Sequence, residues 1–254
     1  MSPGFSWARL RRVLLKLALW QDVHEYLERR SDIVIPVGGT EQHGPSGPVG
    51  TDLIVAEELA NDLGQERHAL VAPAIPFGVS QVHSAFPGTV ALKPATVLAL
   101  LGDVLEGLAA QGFRRFLLVN AHHGSKPILQ AACAQAHAAI PDSRCLSVHW
   151  WELPEVRNVI LEMFGAREGH HATPGELSLV RRFYPRAVLD LPPMDRFEAV
   201  PEPSAWGADD FRRRYPDGRV GSDPGLSSAS AGDRIFAAAA RGLVEAHRRL
   251  VEDP

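Results

Sequence analysis

Short apolar runs that alternate with helical stretches limit this chain's fold more than any other feature. DIVIPV (32–37) and FRRFLLVN (113–120) are too short for stable helices and carry β-branched or large apolar residues in succession, and RCLSVHWW (144–151) reads as a further strand. HALVAPAIPFG (68–78) reads as another, broken by its prolines. Between them, TDLIVAEELANDL begins on a capping residue at Thr51 or Asp52 and repeats Leu53, Ala56, Leu59 and Leu63 at helical spacing. KPATVLALLGDVLEGLAAQG (93–112), KPILQAACAQAHAAI (126–140) and the final AGDRIFAAAARGLVEAHRRLVE (231–252) also read as helices. Strands alternating with helices predict an α/β fold with a mostly parallel sheet covered on both faces.

At 254 residues, 45% hydrophobic and 22% charged, the chain has enough apolar content for one large core. The Pro-, Arg- and Asp-rich stretch from Leu191 to Pro224 reads as an excursion from that domain, not a linker. We expect a leader over 1–20 and a single domain over 21–254. The leader, WARLRRVLLKLALW, has arginines ahead of an apolar run that Lys16 interrupts, and no small-residue cleavage site follows. A formal charge of -4 gives no general pull toward nucleic acid or an anionic membrane, and no segment has the length of a span. Only Cys133 and Cys145 are present, which fits a reducing cytoplasm.

In a parallel sheet, ligands bind beyond the C-terminal strand ends. Three polar clusters fall there: Glu41 to His43 after DIVIPV, Asn120 to Gly124 after FRRFLLV, and His149 to Trp151 after RCLSV. If the EQH segment is extended, Glu41 and His43 share a face, and Asp52 at the start of the next helix leans back over it. Such oxygen and nitrogen donors suit zinc, manganese or iron. His122 stands at the same sheet edge. In EGHHATPGELS (168–178), His171 and Glu176 precede or open a helix, and Glu176 lies in a first turn that favours a carboxylate even without a metal. His83 and the FPGT turn suggest a pocket-lining loop, to which Trp150 and Trp151 add flat aromatic wall candidates.

Taken in order, these motifs resemble the creatininase (creatinine amidohydrolase) family from about Trp20 to the last helix. VIPVGGTEQHGPSGPVGTD is similar to the family's opening signature; FPGT, the Asn-x-His, the His-Ala…Glu-x-Ser stretch and VGSDPGLSSASAG follow in family order. The resemblance implies a three-layer α/β/α sandwich, a homo-oligomer that is often a hexamer, and two divalent metal ions (Zn, Mn or Fe) per chain. By the same resemblance, Glu41 and His122 bind one ion, His43 the second, and Asp52 bridges them. Creatininase has a Glu two positions after the His of the third motif, where this chain has Gly124, so Glu176 becomes the candidate ligand in its place. His171, with His170 beside it, becomes the acid–base residue. Ser46, His123 and Ser125 replace residues common in the family and alter the pocket wall.

The expected chemistry is hydrolysis of a C–N bond in a small cyclic amide, formamide or related non-peptide amide by a metal-activated water. Two alternatives stay open: a creatininase-like peptidase or formamide hydrolase of cofactor biosynthesis, and a non-catalytic metal-bearing binding or assembly protein. No GxGxxG or GxxxxGK[ST] follows a strand, which discounts nucleotide binding.

Overall fold

The computed structural model describes residues 13–195 and 207–252. Four parallel strands form one sheet in the order β2-β1-β3-β4: β1 is Asp32–Val37, β2 Leu70–Val71, β3 Arg115–Asn120 and β4 Arg144–His149. The second strand is shorter than its apolar stretch suggests. Pro73 and Pro76 cannot donate to a ladder, and beyond Val71 only single contacts persist, such as Ile75 N–H to the Pro36 carbonyl at 3.0 Å.

Eight α-helices among the described residues surround or extend the sheet. They are α1 (Trp20–Leu27), α2 (Thr51–Arg67), α3 (Pro94–Ala110), α4 (Lys126–Ala139), α5 (Pro154–Phe164), α6 (Pro174–Phe183), α7 (Ala208–Arg214) and α8 (Ala229–Glu252). Alternation along the strands divides the core in two. Ile33, Ile35, Val37, Phe116 and Leu118 face α3 and α4, meeting Val97, Leu101, Leu105 and Leu129. Val34, Leu117 and Val119 face α2, α6 and α8, meeting Val55, Leu59, Leu177, Ile235 and Leu243. This is the three-layer α/β/α arrangement, with the sheet buried on both sides.

Register decides where the site can be. Val37, Asn120 and His149 are paired across β1, β3 and β4, so three neighbouring strands end at one level. At the opposite rim, Asp32 opens β1 with its carboxylate buried between Arg30 and His247. Arg30 donates to it at 2.8 and 2.7 Å, and His247 Nε2 lies 2.9 Å away, which fastens α8 to the sheet.

The expected leader divides. Residues 1–12 lie outside the described residues, whereas Val13 and Leu14 are buried in the core, where Val71 N–H donates to the Val13 carbonyl at 2.8 Å. In the excursion, 196–206 lie outside the described residues, and α7 returns Phe211 to a buried position. No described helix is long and apolar enough to cross a membrane.

Candidate metal centre

The segment after β1 folds back on itself. Glu41 N–H donates to the Val49 carbonyl and Gly47 N–H to the His43 carbonyl, which turns Glu41 and His43 inward. Gly47 is required there, because a Cβ would meet His43 Cβ at 2.7 Å. Helix α2 then starts at Thr51 with Gly50 as its cap residue and no side-chain cap. Asp52, one of the two expected caps, turns its carboxylate into the site instead: Oδ1 lies 3.0 Å from His43 Nε2 and Oδ2 3.0 Å from His122 Nδ1.

Beyond β3, Asn120 sets the loop. Its Oδ1 accepts the His122 N–H at 3.0 Å, and its Nδ2 donates to the His122 carbonyl at 3.0 Å. His122 Nε2 is within 3.2 Å of the Val79 carbonyl, which leaves Nδ1 to face Asp52 and Glu41, the latter at 3.5 Å. From the other side, Thr173 and Glu176 form a capping box at the start of α6. Glu176 Oε2 accepts the Thr173 N–H at 2.8 Å, and Glu176 N–H donates to Thr173 Oγ1 at 3.0 Å. The cap fixes the Glu176 side chain without using both of its oxygens.

Two of the donor sets so formed share Asp52, Glu41–Asp52–His122 and His43–Asp52–Glu176. In each set the donor atoms lie within 4.8 Å of one another, which suits bonds of about 2 Å to one central ion. All five side chains are buried. Three carboxylates at one buried point call for positive charge. Glu41 Oε2 has no hydrogen-bond partner, and His43 Nε2, though close to Asp52 Oδ1, is out of line for one. The donors are imidazole nitrogens and carboxylate oxygens, so the residues present fit zinc, manganese or iron.

The same charges perturb the ionisations. Burial pulls His43 down, but Asp52, Glu176 and Glu41 outweigh it and hold the imidazole up at about 10. Burial likewise opposes the charge on His122, yet Glu41 and Asp52 keep it well above the ordinary histidine range. Glu41 is held well below the carboxylate range: burial raises it, and His122, His83 and His171 more than offset that. His171 moves the other way, pulled down by burial and by His43.

His171 Nε2 donates to the Gln42 carbonyl at 2.7 Å, leaving Nδ1 3.7 Å from Glu41 Oε1. His170 is exposed on the wall of the neighbouring cavity, lies outside the donor sets, and is held by its N–H to the Val220 carbonyl. The pocket-wall candidates separate. His83 is buried, stacked on His171 with centroids 4.2 Å apart. Ser125 is fully buried, with its Oγ close to Gly78, and is not among the residues lining the cavity described below. Trp150 is 1% exposed and belongs mainly to the core, whereas Trp151 is half-buried and stacks on His123 at 4.0 Å. Gly124 cannot carry a ligand, since a Cβ there would collide with the Val79 carbonyl.

Next to the donor sets lies a cavity of about 610 Å³, walled by His123, Trp151, Arg157, Asn158, Glu168 and His170, with Glu176 at its edge. Glu168 accepts the Gly175 N–H at 3.1 Å, and burial pushes its carboxyl up to about 8. Neither Glu168 nor α5 is among the features the sequence motifs point to. A signal for α5 was available in Pro154 at its first turn and Gly165 after its end.

Comparison with known proteins agrees with this architecture. The family model described as creatininase, creatinine amidohydrolase, matches residues 17–247. The creatinine amidohydrolase of Pseudomonas putida is 27% identical over 85% of this chain and 88% of its own length. The mycofactocin precursor peptide peptidase of Mycobacterium ulcerans is 30% identical over 81% of this chain and 80% of its own. That of Mycolicibacterium smegmatis is 37% identical, over 40% of this chain and 43% of its own length. A solved structure of creatininase Mn superposes with a TM-score of 0.82 at 24% identity, over 94% of this chain and 99% of that one. The chain belongs to the creatininase family.

Proposed function

We propose that this protein is a metal-dependent hydrolase of C–N bonds in small amides, with two divalent cations per chain. The observation that carries the reading is the convergence of Glu41, His43, Asp52, His122 and Glu176 on two donor sets joined by one carboxylate. Glu41 and His122 would hold one cation and His43 and Glu176 the other, with Asp52 common to both donor sets. Bound divalent cations supply Lewis acidity and bring the pKa of water toward neutrality.

The chain's own residues supply the rest. His171 is the proton carrier: its Nε2–H is committed to the Gln42 carbonyl, so Nδ1 is the free lone pair. Its neutrality suits it to take a proton at Nδ1 from the attacking water and pass it to the departing nitrogen. Such a transfer contributes roughly 10²–10⁴-fold. The His123–Trp151 stack offers a flat apolar wall for a planar amide.

A second reading, hydrolysis of a short peptide, is favoured by the size of the cavity, which at about 610 Å³ exceeds the needs of a single small ring. Relatives named as peptide peptidases support the same reading. Metal analysis and a substrate panel test both. Purified protein should carry close to two zinc, manganese or iron ions per chain and hydrolyse lactams, formamides or short peptides. Asp52→Ala should lose metal and turnover together, while His171→Gln should keep metal and lose turnover. Full metal content in Asp52→Ala would refute the bridge; metal without turnover on any amide would refute hydrolysis.

A further inference from the structure

We infer that Gln42 limits the centre to two cations by keeping His83 out of the ligand shell. The inference rests on the reading of Glu41, His43, Asp52, His122 and Glu176 as metal ligands. A third donor set of the same kind exists beside them: Glu41, His83 and His171, all buried. His83 Nε2 and His171 Nδ1 each lie 3.7 Å from Glu41 Oε1. By distance alone, Glu41 could bridge to a third ion as Asp52 bridges the first two.

Hydrogen bonding decides otherwise. A histidine nitrogen binds a metal only through a free lone pair, and the bond made by the other ring nitrogen fixes which one has it. The Gln42 amide has one possible orientation. Gly44 N–H can only donate, so the atom it meets at 2.8 Å is Oε1. The Gly218 carbonyl can only accept, so the atom it meets at 3.0 Å is Nε2. Turning the amide over would oppose two oxygens and two N–H groups in a buried place. The remaining Nε2 hydrogen points at His83 Nδ1, 2.8 Å away. His83 Nδ1 is therefore an acceptor, and the ring proton sits on Nε2, the nitrogen that faces Glu41.

In that tautomer His83 presents an N–H to Glu41 and has no lone pair there. To ligate, it would have to move its proton to Nδ1 and set that N–H against the amide N–H of Gln42. The approach of Gly218 to Gln42 is built into the backbone: Gly218 has φ +85°, and a Cβ would run into the Gln42 side chain. His171 is opposite in sense, because its Nε2–H goes to the Gln42 carbonyl and its Nδ1 lone pair stays free. Gln42 thus meets two stacked imidazoles, through its side chain and its backbone, and holds them in complementary states.

The test is the tautomer of His83 by ¹⁵N NMR of metal-free protein, together with metal content per chain at saturating manganese or zinc. Wild type should show the Nε2–H form and two ions. Gln42→Glu places an acceptor beside Nδ1; it should reverse the tautomer and raise the content from two to three. Adding His83→Ala should return it to two. Gln42→Leu, which removes the donor without adding charge, should release His83 from the single tautomer. An Nδ1–H form in wild type would overturn the inference, as would a third wild-type ion lost in His83→Ala. So would a reversed tautomer in Gln42→Glu with content still at two. Wild-type protein that binds no metal would refute the two-metal reading instead, and the tautomer would still decide the role of Gln42.

Discussion

Neighbouring residues in this chain can have unrelated roles, and Trp150 and Trp151 make the point. Trp150 is 1% exposed and belongs to the same buried core cluster as Val156 and Leu243, so Trp150→Ala should cost about 3–5 kcal/mol in denaturant unfolding. Trp151→Ala, at a half-buried edge of the same cluster, should cost less stability than Trp150→Ala and raise KM for a planar substrate. Equal losses of stability in the two variants would contradict the division. The imidazoles carry a second residue-level expectation. His43, held up at about 10, and His122, held well above the ordinary range, both keep their protons at neutral pH without metal. Metal must displace those protons, so uptake should release them and affinity should rise with pH below about 10. Calorimetry in buffers of different ionisation enthalpy counts the protons; none released at pH 7 would refute this charge arrangement.

Among the elements, the contact between β1 and α8 ties the sheet to the last helix. Asp32 sits between Arg30 and His247, with 2% of its surface exposed. Burial raises its carboxyl, but the hydrogen bonds from His247 and Arg30 outweigh it and hold the group below the carboxylate range. Because the folded value is depressed, the stabilisation is present above the unfolded value of about 3.9 and is lost as pH falls through the folded one. Asp32→Asn should lose about 3–5 kcal/mol at pH 7 and show a flatter decline in acid. An acid limb as steep as wild type would show that the stabilisation lies elsewhere. The elements also show what was readable beforehand. β1, β3, α3, α4 and α8 lie within two residues or so of the expected bounds, because each carries an apolar period and a breaker at its ends. β2 shrank to Leu70–Val71, since pattern alone does not say how far a Pro-rich run stays in register. Helix α5 went unread, although it supplies Arg157 and Asn158 to the cavity. Glu41, His43 and His122 draw attention in the sequence because they follow strand ends, whereas Glu176, in the first turn of a helix, enters as a ligand only through the family resemblance. The tautomer control by Gln42 was not legible, because Gly218 lies 176 residues away and nothing local announces it.

For the whole molecule, the centre should also act as a clamp. Ions that bind the folded chain and not the unfolded one stabilise it by about 2.7 kcal/mol at a hundredfold excess over Kd, and each kcal/mol is worth roughly 2–4 °C at this size. Chelation should therefore lower the melting temperature of wild type by several degrees and leave Asp52→Ala where it was. An equal drop in both would mean that the chelator acts elsewhere. One further consequence follows from the way β1, β3 and β4 end at a common level. Neither donor set can be assembled from a single stretch of chain: His122 lies 70 residues beyond Asp52, and Glu176 waits on a helix that docks only after β4 has been laid down. The Glu41–Asp52–His122 set needs only the chain through β3 and the loop after it, whereas the His43–Asp52–Glu176 set waits for α6, so the two halves of the centre become complete at different lengths of chain.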